Sequence, residues 1–171
     1  MLTSAWQRFD SGARKALPMA TAFLCCLLSV TAWPLPFLGA VSPPLALIAV
    51  YYWTIHRPDL FGPGSAFLIG LINDALNGLP FGLSALLFIA AQQILLQQRR
   101  FIAGHSFLAL WVGFIIAILS IMITEEILIS LIRGQSVPFF PVLIQSLLAV
   151  VIFPLPCWLF IRLQRAVLIQ G

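Results

Sequence analysis

The sequence predicts an all-α integral membrane protein, a six-transmembrane-helix bundle that forms a single domain over residues 1–171. Composition indicates this class, because 61% of the residues are hydrophobic and only 8% are charged. A soluble domain has roughly a quarter of its residues charged, so this chain could not cover a water-facing surface. Helices are expected because backbone groups in lipid must satisfy their hydrogen bonds within their own segment.

Six apolar segments account for most of the chain. A spanning helix needs about 20 apolar residues. The predicted cytoplasmic tail covers about 1–16, and the predicted spans cover about 17–38, 44–55, 61–76, 81–96, 103–132 and 140–163. The first span also resembles a signal peptide with a cleavage site near Ala32, but we interpret it as a retained helix.

Turn-forming residues and short polar runs mark the breaks between these segments. The breaks are Pro34 and Pro36, His56–Asp59, Asn77–Pro80, Gln97–Arg100 and Gly134–Pro138. Two further prolines, Pro154 and Pro156, predict a kink inside the last span, where such kinks are tolerated.

The second and third segments are short, so they could be two spans or a re-entrant hairpin. With six crossings, eight basic residues share one side: Arg8, Arg14, Lys15, Arg57, Arg99, Arg100, Arg162 and Arg165. Only Arg133 lies on the other side. Because basic residues concentrate at the cytoplasmic face, this pattern favours six spans with both termini cytoplasmic. We interpret Arg57, Arg99, Arg100, Arg162 and Arg165 as topology signals that contact membrane lipid.

Aromatic residues lie near several predicted span ends. Tyr51, Tyr52 and Trp53 are expected at the cytoplasmic interface, because such rings favour the boundary between lipid and water. Ordinary apolar packing is the alternative. The three cysteines, Cys25, Cys26 and Cys157, are expected to be small buried apolar residues.

Asp74 is the conspicuous charge within the apolar segments, since a charge at the bilayer centre costs about 3 kcal/mol. It is either a ligand or proton site, or a carboxylate that hydrates or caps the Asn77–Gly78 turn. Glu125 and Glu126 point about 100° apart on a helix, so we expect one to face the bundle and the other the headgroups.

Other polar residues share the predicted outer half with Asp74. The full set is Asn73, Asp74, Asn77, Thr124, Glu125, Glu126, Arg133, Gln145 and Ser146. An interhelical lock or a partner-facing surface is favoured over a small-molecule pocket. No catalytic or metal-ligand spacing is present, so we expect no enzyme, cofactor or metal. The scattered basic residues indicate no nucleic-acid partner.

One stretch, 44–87, combines a series of short motifs: Pro44, Tyr51-Tyr52-Trp53, Arg57-Pro58, Gly70-Leu71-Ile72-x-Asp74 and Gly78-x-Pro80-x-Gly82. In their order and spacing these motifs resemble the MreD family of rod shape-determining membrane proteins. Length, six-helix topology and short loops also match. The resemblance implies a non-enzymatic scaffold of the cell-wall elongation machinery in the bacterial inner membrane.

The resemblance also implies partners: MreC, a RodA-type glycosyltransferase, a class B penicillin-binding transpeptidase and, as a further candidate, MreB. It implies a fold like the substrate-binding subunits of energy-coupling-factor vitamin transporters. A small-solute binding or transport subunit with an outward-facing polar cavity is therefore the alternative function.

The candidate structural or partner-docking residues are Gly70, Asp74, Asn77, Gly78, Pro80, Gly82, Glu125, Glu126 and Arg133. Asp74 is expected to shape the turn between the third and fourth spans. That turn is expected to form part of an outward docking surface for MreC.

Overall fold

The computed structural model describes residues 3–30, 34–35, 39–40, 42–103, 107–134 and 139–168. These residues form helices α1 (Thr3–Val30), α2 (Leu45–His56), α3 (Pro63–Asn77), α4 (Leu83–Ala103), α5 (Phe107–Arg133), α6 (Phe139–Ile152) and α7 (Pro154–Leu168). A two-residue antiparallel pair, β1 (Pro34–Leu35) with β2 (Gly39–Ala40), lies between α1 and α2. The all-α class is confirmed.

Helix α2 is the centre of the bundle. Every residue from Leu45 to Ile55 is buried. Its sequence is apolar on all faces, which is typical of a helix surrounded by protein. Tyr51 packs edge-on against Phe114 and Phe153, whose rings stack on each other at 4.1 Å between centroids. The protein core is therefore built around the shortest of the helices.

The aromatic cluster of α2 packs inside the protein, which supports the alternative of ordinary apolar packing, and its depth in the membrane stays a prediction. Tyr51, Tyr52 and Trp53 are at most 1% exposed. All three of their side-chain polar atoms bond within the bundle. The Tyr51 hydroxyl donates to the Leu110 carbonyl at 2.8 Å, the Tyr52 hydroxyl to Gln164 Oε1 at 3.0 Å and the Trp53 indole to Thr21 Oγ1 at 2.9 Å. These polar atoms therefore have protein partners and do not depend on water or headgroups for their hydrogen bonds.

Several helix boundaries differ from the predicted spans. α1 begins within the predicted tail and ends at Val30, and Pro34 belongs to β1. A proline lacks an N–H and restricts the residue before it, so Pro34 disfavours a longer α1. α4 continues beyond Gln97 to Ala103. Glutamine and arginine are good helix formers, so the polar run that ends the apolar segment does not end the helix.

The last predicted span is broken at Phe153, where the axes of α6 and α7 differ by 43°. Pro154 has no N–H to donate to the Val150 carbonyl. The Trp111 indole donates to that carbonyl instead, at 3.1 Å. The predicted kink is thus present, and a side chain of α5 satisfies the carbonyl oxygen that proline leaves free.

Among the described residues, α5 is long and apolar enough to cross a membrane by itself, and α6 with α7 passes the same test as one bent pair. Ala16–Val30 and α2 are shorter apolar helices. Large apolar side chains such as Leu86, Ile116 and Leu147 are more than 60% exposed. The six-span count stays a prediction.

The two ends of the bundle differ in chemistry. At one end, here called the acidic end, the termini of α3, α4 and α5 bring together Asp74, Ser84 and Glu125. At the other, here called the arginine end, Arg99 Nε donates to the Ile55 carbonyl at 2.7 Å. Gln92 Nε2 donates to the Phe61 carbonyl at 2.8 Å nearby.

Candidate functional site

Asp74 caps the N-terminus of α4. Its side chain is fully buried near the end of α3. Oδ2 accepts the Gly82 N–H and Oδ1 accepts the Ser84 N–H, both at 2.9 Å. The first N–H groups of a helix have no partner within the helix, and a carboxylate there also interacts favourably with the helix dipole. Asp74 therefore stabilises α4 from a neighbouring helix rather than capping the Asn77–Gly78 turn with its side chain.

The turn between α3 and α4 depends on two glycines. Gly78 adopts φ 63° and ends α3, and Gly82 adopts φ 94° just before α4. Side chains disfavour both conformations. The Leu79 N–H donates to the Asp74 carbonyl at 3.0 Å, so Asp74 holds this turn by its backbone as well as by its carboxylate. Pro80 lies between the glycines and its carbonyl accepts the Leu83 N–H at 3.1 Å.

Gly70 lets α3 and α4 approach closely. A Cβ at this position would lie 2.3 Å from the Ala85 Cα and 2.6 Å from the Ala85 nitrogen. Such contacts are with backbone, which cannot rotate away. Small residues at helix contacts permit close backbone approach in membranes. Gly70 thus brings Asp74, one turn later, within reach of the α4 N-terminus.

A chain of polar contacts continues from α3 to α5. Asn77 Nδ2 donates to the Asn73 carbonyl at 2.9 Å and to its Oδ1 at 3.1 Å. Asn73 Nδ2 donates to Ser84 Oγ at 3.1 Å. Ser84 Oγ in turn donates to Glu125 Oε1 at 3.5 Å, a long contact. The predicted polar residues of α3 and α5 are therefore linked through a serine of α4.

Ser29 caps the N-terminus of α2, as Asp74 caps that of α4. Its hydroxyl oxygen accepts the Leu45 N–H at 2.9 Å and the Ala46 N–H at 3.4 Å, and it donates to the Cys25 carbonyl. Sequence reasoning missed Ser29, which lies in an apolar stretch without a neighbouring turn motif. Pro43 and Pro44, which precede α2, could have indicated such a residue. They leave the start of that helix without a side-chain cap of its own, so the cap must come from elsewhere.

These elements surround a cavity of about 200 Å³ at the acidic end. It is lined by Ser29, Ser42, Pro43, Pro44, Asn73, Asn77, Leu79, Met122, Glu125, Glu126, Ile129, Val142 and Gln145. Gln145 Nε2 donates to the Ser42 carbonyl at 2.8 Å, which ties α6 to the segment before α2. Five of the predicted outer polar residues thus line one space.

Glu125 and Glu126 both line the cavity, and Glu125 also accepts the Ser84 hydroxyl. The expectation that Glu126 reaches the headgroups stays a prediction. Two side chains about 100° apart can still border one space when that space is wider than a single contact. Glu126 Oε1 is buried and has no hydrogen-bond partner within the described residues. The cavity is therefore bordered by two carboxylates, one of them with an unused acceptor.

Not every predicted residue joins this site. Arg133 is exposed at the last residue of α5 and does not line the cavity. Thr124 is exposed and donates to the Ser120 carbonyl, while Ser146 is buried and donates to the Val142 carbonyl. Both hydroxyls bond within their own helices, which is common for serine and threonine in helices.

The five predicted topology arginines have different surroundings. Arg57 makes a 3.0 Å ion pair with Asp59, and these hydrogen bonds lower the pKa of Asp59. Arg99 is half-buried on the Ile55 carbonyl.

The other three arginines, Arg100, Arg162 and Arg165, are exposed. Arg162 lies over the Trp158 ring, 4.8 Å from its centroid. Arg99 therefore has a structural contact that its basic run alone does not predict.

In the described part of the chain, no group of three or more His, Cys, Asp or Glu side chains could hold a metal ion. The three cysteines are buried and unpaired, as expected of small apolar residues. What the acidic end offers chemically is hydrogen-bonding groups and two carboxyl groups around a small cavity.

Comparison with known proteins gives one family. A family model described as rod shape-determining protein MreD matches residues 14–164. The chain is also similar to an uncharacterised protein of Rickettsia prowazekii (strain Madrid E), with 22% identity over 148 residues, which cover 82% of this chain and 84% of that relative. No solved structure gives a significant match. Because the family match extends over most of the chain, the protein belongs to the MreD family of rod shape-determining membrane proteins.

Proposed function

We propose that this chain is a non-enzymatic scaffold subunit of the bacterial cell-wall elongation machinery. It lies in the inner membrane as one transmembrane domain over residues 1–171. Its proposed partners are MreC, a RodA-type glycosyltransferase and a class B penicillin-binding transpeptidase, with MreB as a candidate at the cytoplasmic face. It acts by packing its helices against the spans of these partners and by short-loop contacts.

The observation that carries the proposal is where the fold places the residues that match the family. Gly70, Asp74, Gly78 and Gly82 all serve the junction between α3 and α4. None of these residues has a reacting group available for chemistry, since the Asp74 carboxylate is occupied by two backbone N–H groups. A rigid junction at the surface suits docking, because ordering it costs no further conformational entropy when a partner binds.

The proposed topology has six crossings and both termini in the cytoplasm, with the acidic end at the periplasmic face. The distribution of the basic residues supports it. The short length of α2 does not argue against it, because α2 is enclosed by protein and need not match the lipid thickness. Arg57, Arg100, Arg162 and Arg165 then lie where anionic headgroups are, and contact lipid.

Cysteine labelling tests this topology. The native cysteines are buried, so a membrane-impermeant maleimide should react only with introduced thiols. In intact spheroplasts, Asn77→Cys is expected to react and Gln98→Cys to react only after permeabilisation. Labelling of Gln98→Cys in intact spheroplasts would place the arginine end outside and overturn the topology.

Co-purification tests the scaffold. The chain is co-expressed with MreC, extracted in mild detergent and captured, and retained MreC is measured together with the rod shape of the cells. Phe81 is 80% exposed on the α3–α4 turn, so Phe81→Ala changes the proposed docking surface without touching the Asp74 cap. Reduced retention and rounded cells are expected for Phe81→Ala and Asp74→Ala.

Asp59→Asn, at the arginine end, is the matched control and should retain MreC and rod shape. If the unsubstituted chain does not retain MreC, the proposed partner is wrong. If both acidic-end variants behave as the unsubstituted chain does, the junction between α3 and α4 is not the docking surface.

The acidic-end cavity also bears on the alternative function, a small-solute binding or transport subunit. Its volume of about 200 Å³ argues against a vitamin-sized guest, because pockets for such ligands measure roughly 300–1,000 Å³. Mass spectrometry of the purified protein separates the two functions. A stoichiometric vitamin-like solute would favour the second.

A further inference from the structure

The acidic-end cavity is bordered by two carboxyl groups without a basic side chain among its described lining residues. Glu125 and Glu126 both line it, and no Arg, Lys or His is among the lining residues that the structure describes. Arg133, on the same helix, is exposed outside the lining. Buried or half-buried charges are normally paired, because an unpaired charge away from bulk water is costly.

The Glu126 carboxylate has a vacant acceptor inside this site. Its Oε1 atom is shielded from solvent and accepts no hydrogen bond from any described group. The great majority of buried polar atoms in proteins have a partner, so an orphaned carboxylate oxygen beside a cavity indicates a donor that is supplied from elsewhere.

The other polar groups of the cavity are partly engaged within the protein. The side-chain amide nitrogens of Asn73, Asn77 and Gln145 donate to Ser84 Oγ, to Asn73 and to the Ser42 carbonyl, respectively. The two carboxylates are therefore the groups of the cavity that most need a donor. Guanidinium and ammonium groups are the side-chain groups that donate only and carry positive charge.

The size of the cavity and the number of metal-ligating side chains nearby further restrict what can bind in it. The cavity, at about 200 Å³, has room for several water molecules. It is therefore large for a bare metal ion, and the described residues offer no three-ligand metal group. The space suits the end of one long basic side chain.

We propose that the acidic-end cavity receives the guanidinium or ammonium group of an arginine or lysine side chain presented by a protein partner at the periplasmic face. This rests on the proposed scaffold function. Glu126 and Glu125 are the residues that hold the cation, and the engaged amides fix the walls around it. Charge complementarity of this kind gives an interface its register and specificity.

A fragment of the basic side chain tests the cavity without a partner. The purified full chain in nanodiscs is heated with 1-ethylguanidinium chloride or with the uncharged, similarly shaped ethylurea. Ethylguanidinium is expected to raise the unfolding midpoint of the unsubstituted chain, and ethylurea is not. The shift should be lost in Glu126→Gln and reduced in Glu125→Gln, both of which keep the side-chain shape. Equal effects of the two compounds would overturn the cation site.

Co-purification with MreC tests the source of the cation. Glu126→Gln is expected to lower the affinity for MreC by at least about thirtyfold, because a buried charge pair loses one member, and so to lower retention, whereas Asp59→Asn leaves retention unchanged. If Glu126→Gln retains MreC undiminished while the unsubstituted chain binds ethylguanidinium, the guest is a free cation. That result would overturn the proposal that a partner's side chain supplies the cation. Absence of retention by the unsubstituted chain counts against the scaffold function, which the fragment measurement does not address.

Discussion

Asp74 and Ser84 are joined by a 2.9 Å hydrogen bond in which a carboxylate of α3 accepts a backbone N–H from the first turn of α4. The same carboxylate accepts the Gly82 N–H, so one buried charge satisfies two donors of a helix that has no side-chain cap of its own. This arrangement explains why an apolar segment contains a carboxylate, and it makes Asp74 a residue of stability as well as of the proposed docking surface.

Replacing Asp74 is expected to destabilise the protein. Asp74→Ala leaves the Gly82 and Ser84 N–H groups without their partner, and hydrogen bonds to charged groups are worth about 1.5–3 kcal/mol each. Because Gly82 is only half-buried, water can replace part of its bond, and we expect a loss of about 2–4 kcal/mol in the free energy of unfolding. Asp74→Asn should be intermediate, because its amide can accept only one of the two bonds. Reversible unfolding in detergent measures the loss.

Hydrogen exchange gives this prediction a local readout. In Asp74→Ala the amides of Gly82 and Ser84 should exchange faster, while those in the centre of α2 keep their protection. Unchanged exchange at both amides would mean that the carboxylate does not cap α4 in solution.

Gly70→Ala is expected to force α3 and α4 apart. The added methyl would meet the backbone of Ala85 at 2.3 Å, well inside contact distance. Overpacking of this kind costs about 1–3 kcal/mol, and contact with backbone favours the upper end of that range. The unfolding midpoint of the purified protein measures it.

Gly64 supplies the matched control on the same helix. A Cβ there meets nothing within 4 Å, and alanine is the better helix former. Gly64→Ala should therefore be neutral or slightly stabilising. Equal losses for the two substitutions would show that helix propensity, not close approach, decides the outcome at Gly70.

The contact between Trp111 and Val150 predicts a coupled pair of substitutions. Trp111→Phe removes the only indole N–H that reaches the Val150 carbonyl among the described residues, and should cost about 1–2 kcal/mol. Pro154→Ala supplies a backbone N–H that can bond the same carbonyl. The loss caused by Trp111→Phe should therefore be smaller when Pro154→Ala is present.

A double-mutant cycle on unfolding free energies measures this coupling. Additive losses would indicate that the indole contributes only packing, and that the bend between α6 and α7 does not depend on its hydrogen bond.

The ion pair between Arg57 and Asp59 should make the stability of the protein depend slightly on pH. Arg57 lowers its pKa in the folded state, so the pair stabilises the protein above the unfolded pKa of about 4 and loses this effect as pH falls through the folded value. Because Asp59 is 58% exposed, the effect should stay below about 1 kcal/mol. The stability difference between the unsubstituted protein and Asp59→Asn should shrink on acidification below about pH 4. A difference that grows instead would contradict the pairing.

The sequence was sufficient to predict the helical class, the breaks around residues 56–59 and 77–80, and the kink at Pro154. Each of these depends on local properties: apolar length, turn chemistry or a missing N–H. The grouping of Asn73, Asn77 and Glu125 also followed from the depth of these residues along their segments.

What depends on packing was not predictable in the same way. The aromatic residues of α2 suit a membrane interface as well as a core, and only the neighbouring helices decide between the two. Ser29 gives no periodic signal, because its role depends on the α2 N-terminus lying beside it. Arg99 likewise appears in the sequence as a charge at a helix end, and its bond to Ile55 depends on how α2 and α4 cross.

The two caps that cross between helices have a consequence for biogenesis. Ser29 precedes the helix that it caps, and so does Asp74. When α2 leaves the ribosome, the hydroxyl that covers its first amides has already been made, and the same holds for α4 and its carboxylate. Each helical hairpin can therefore enter the bilayer as a unit whose leading amides are already shielded from lipid, without waiting for the segments translated after it.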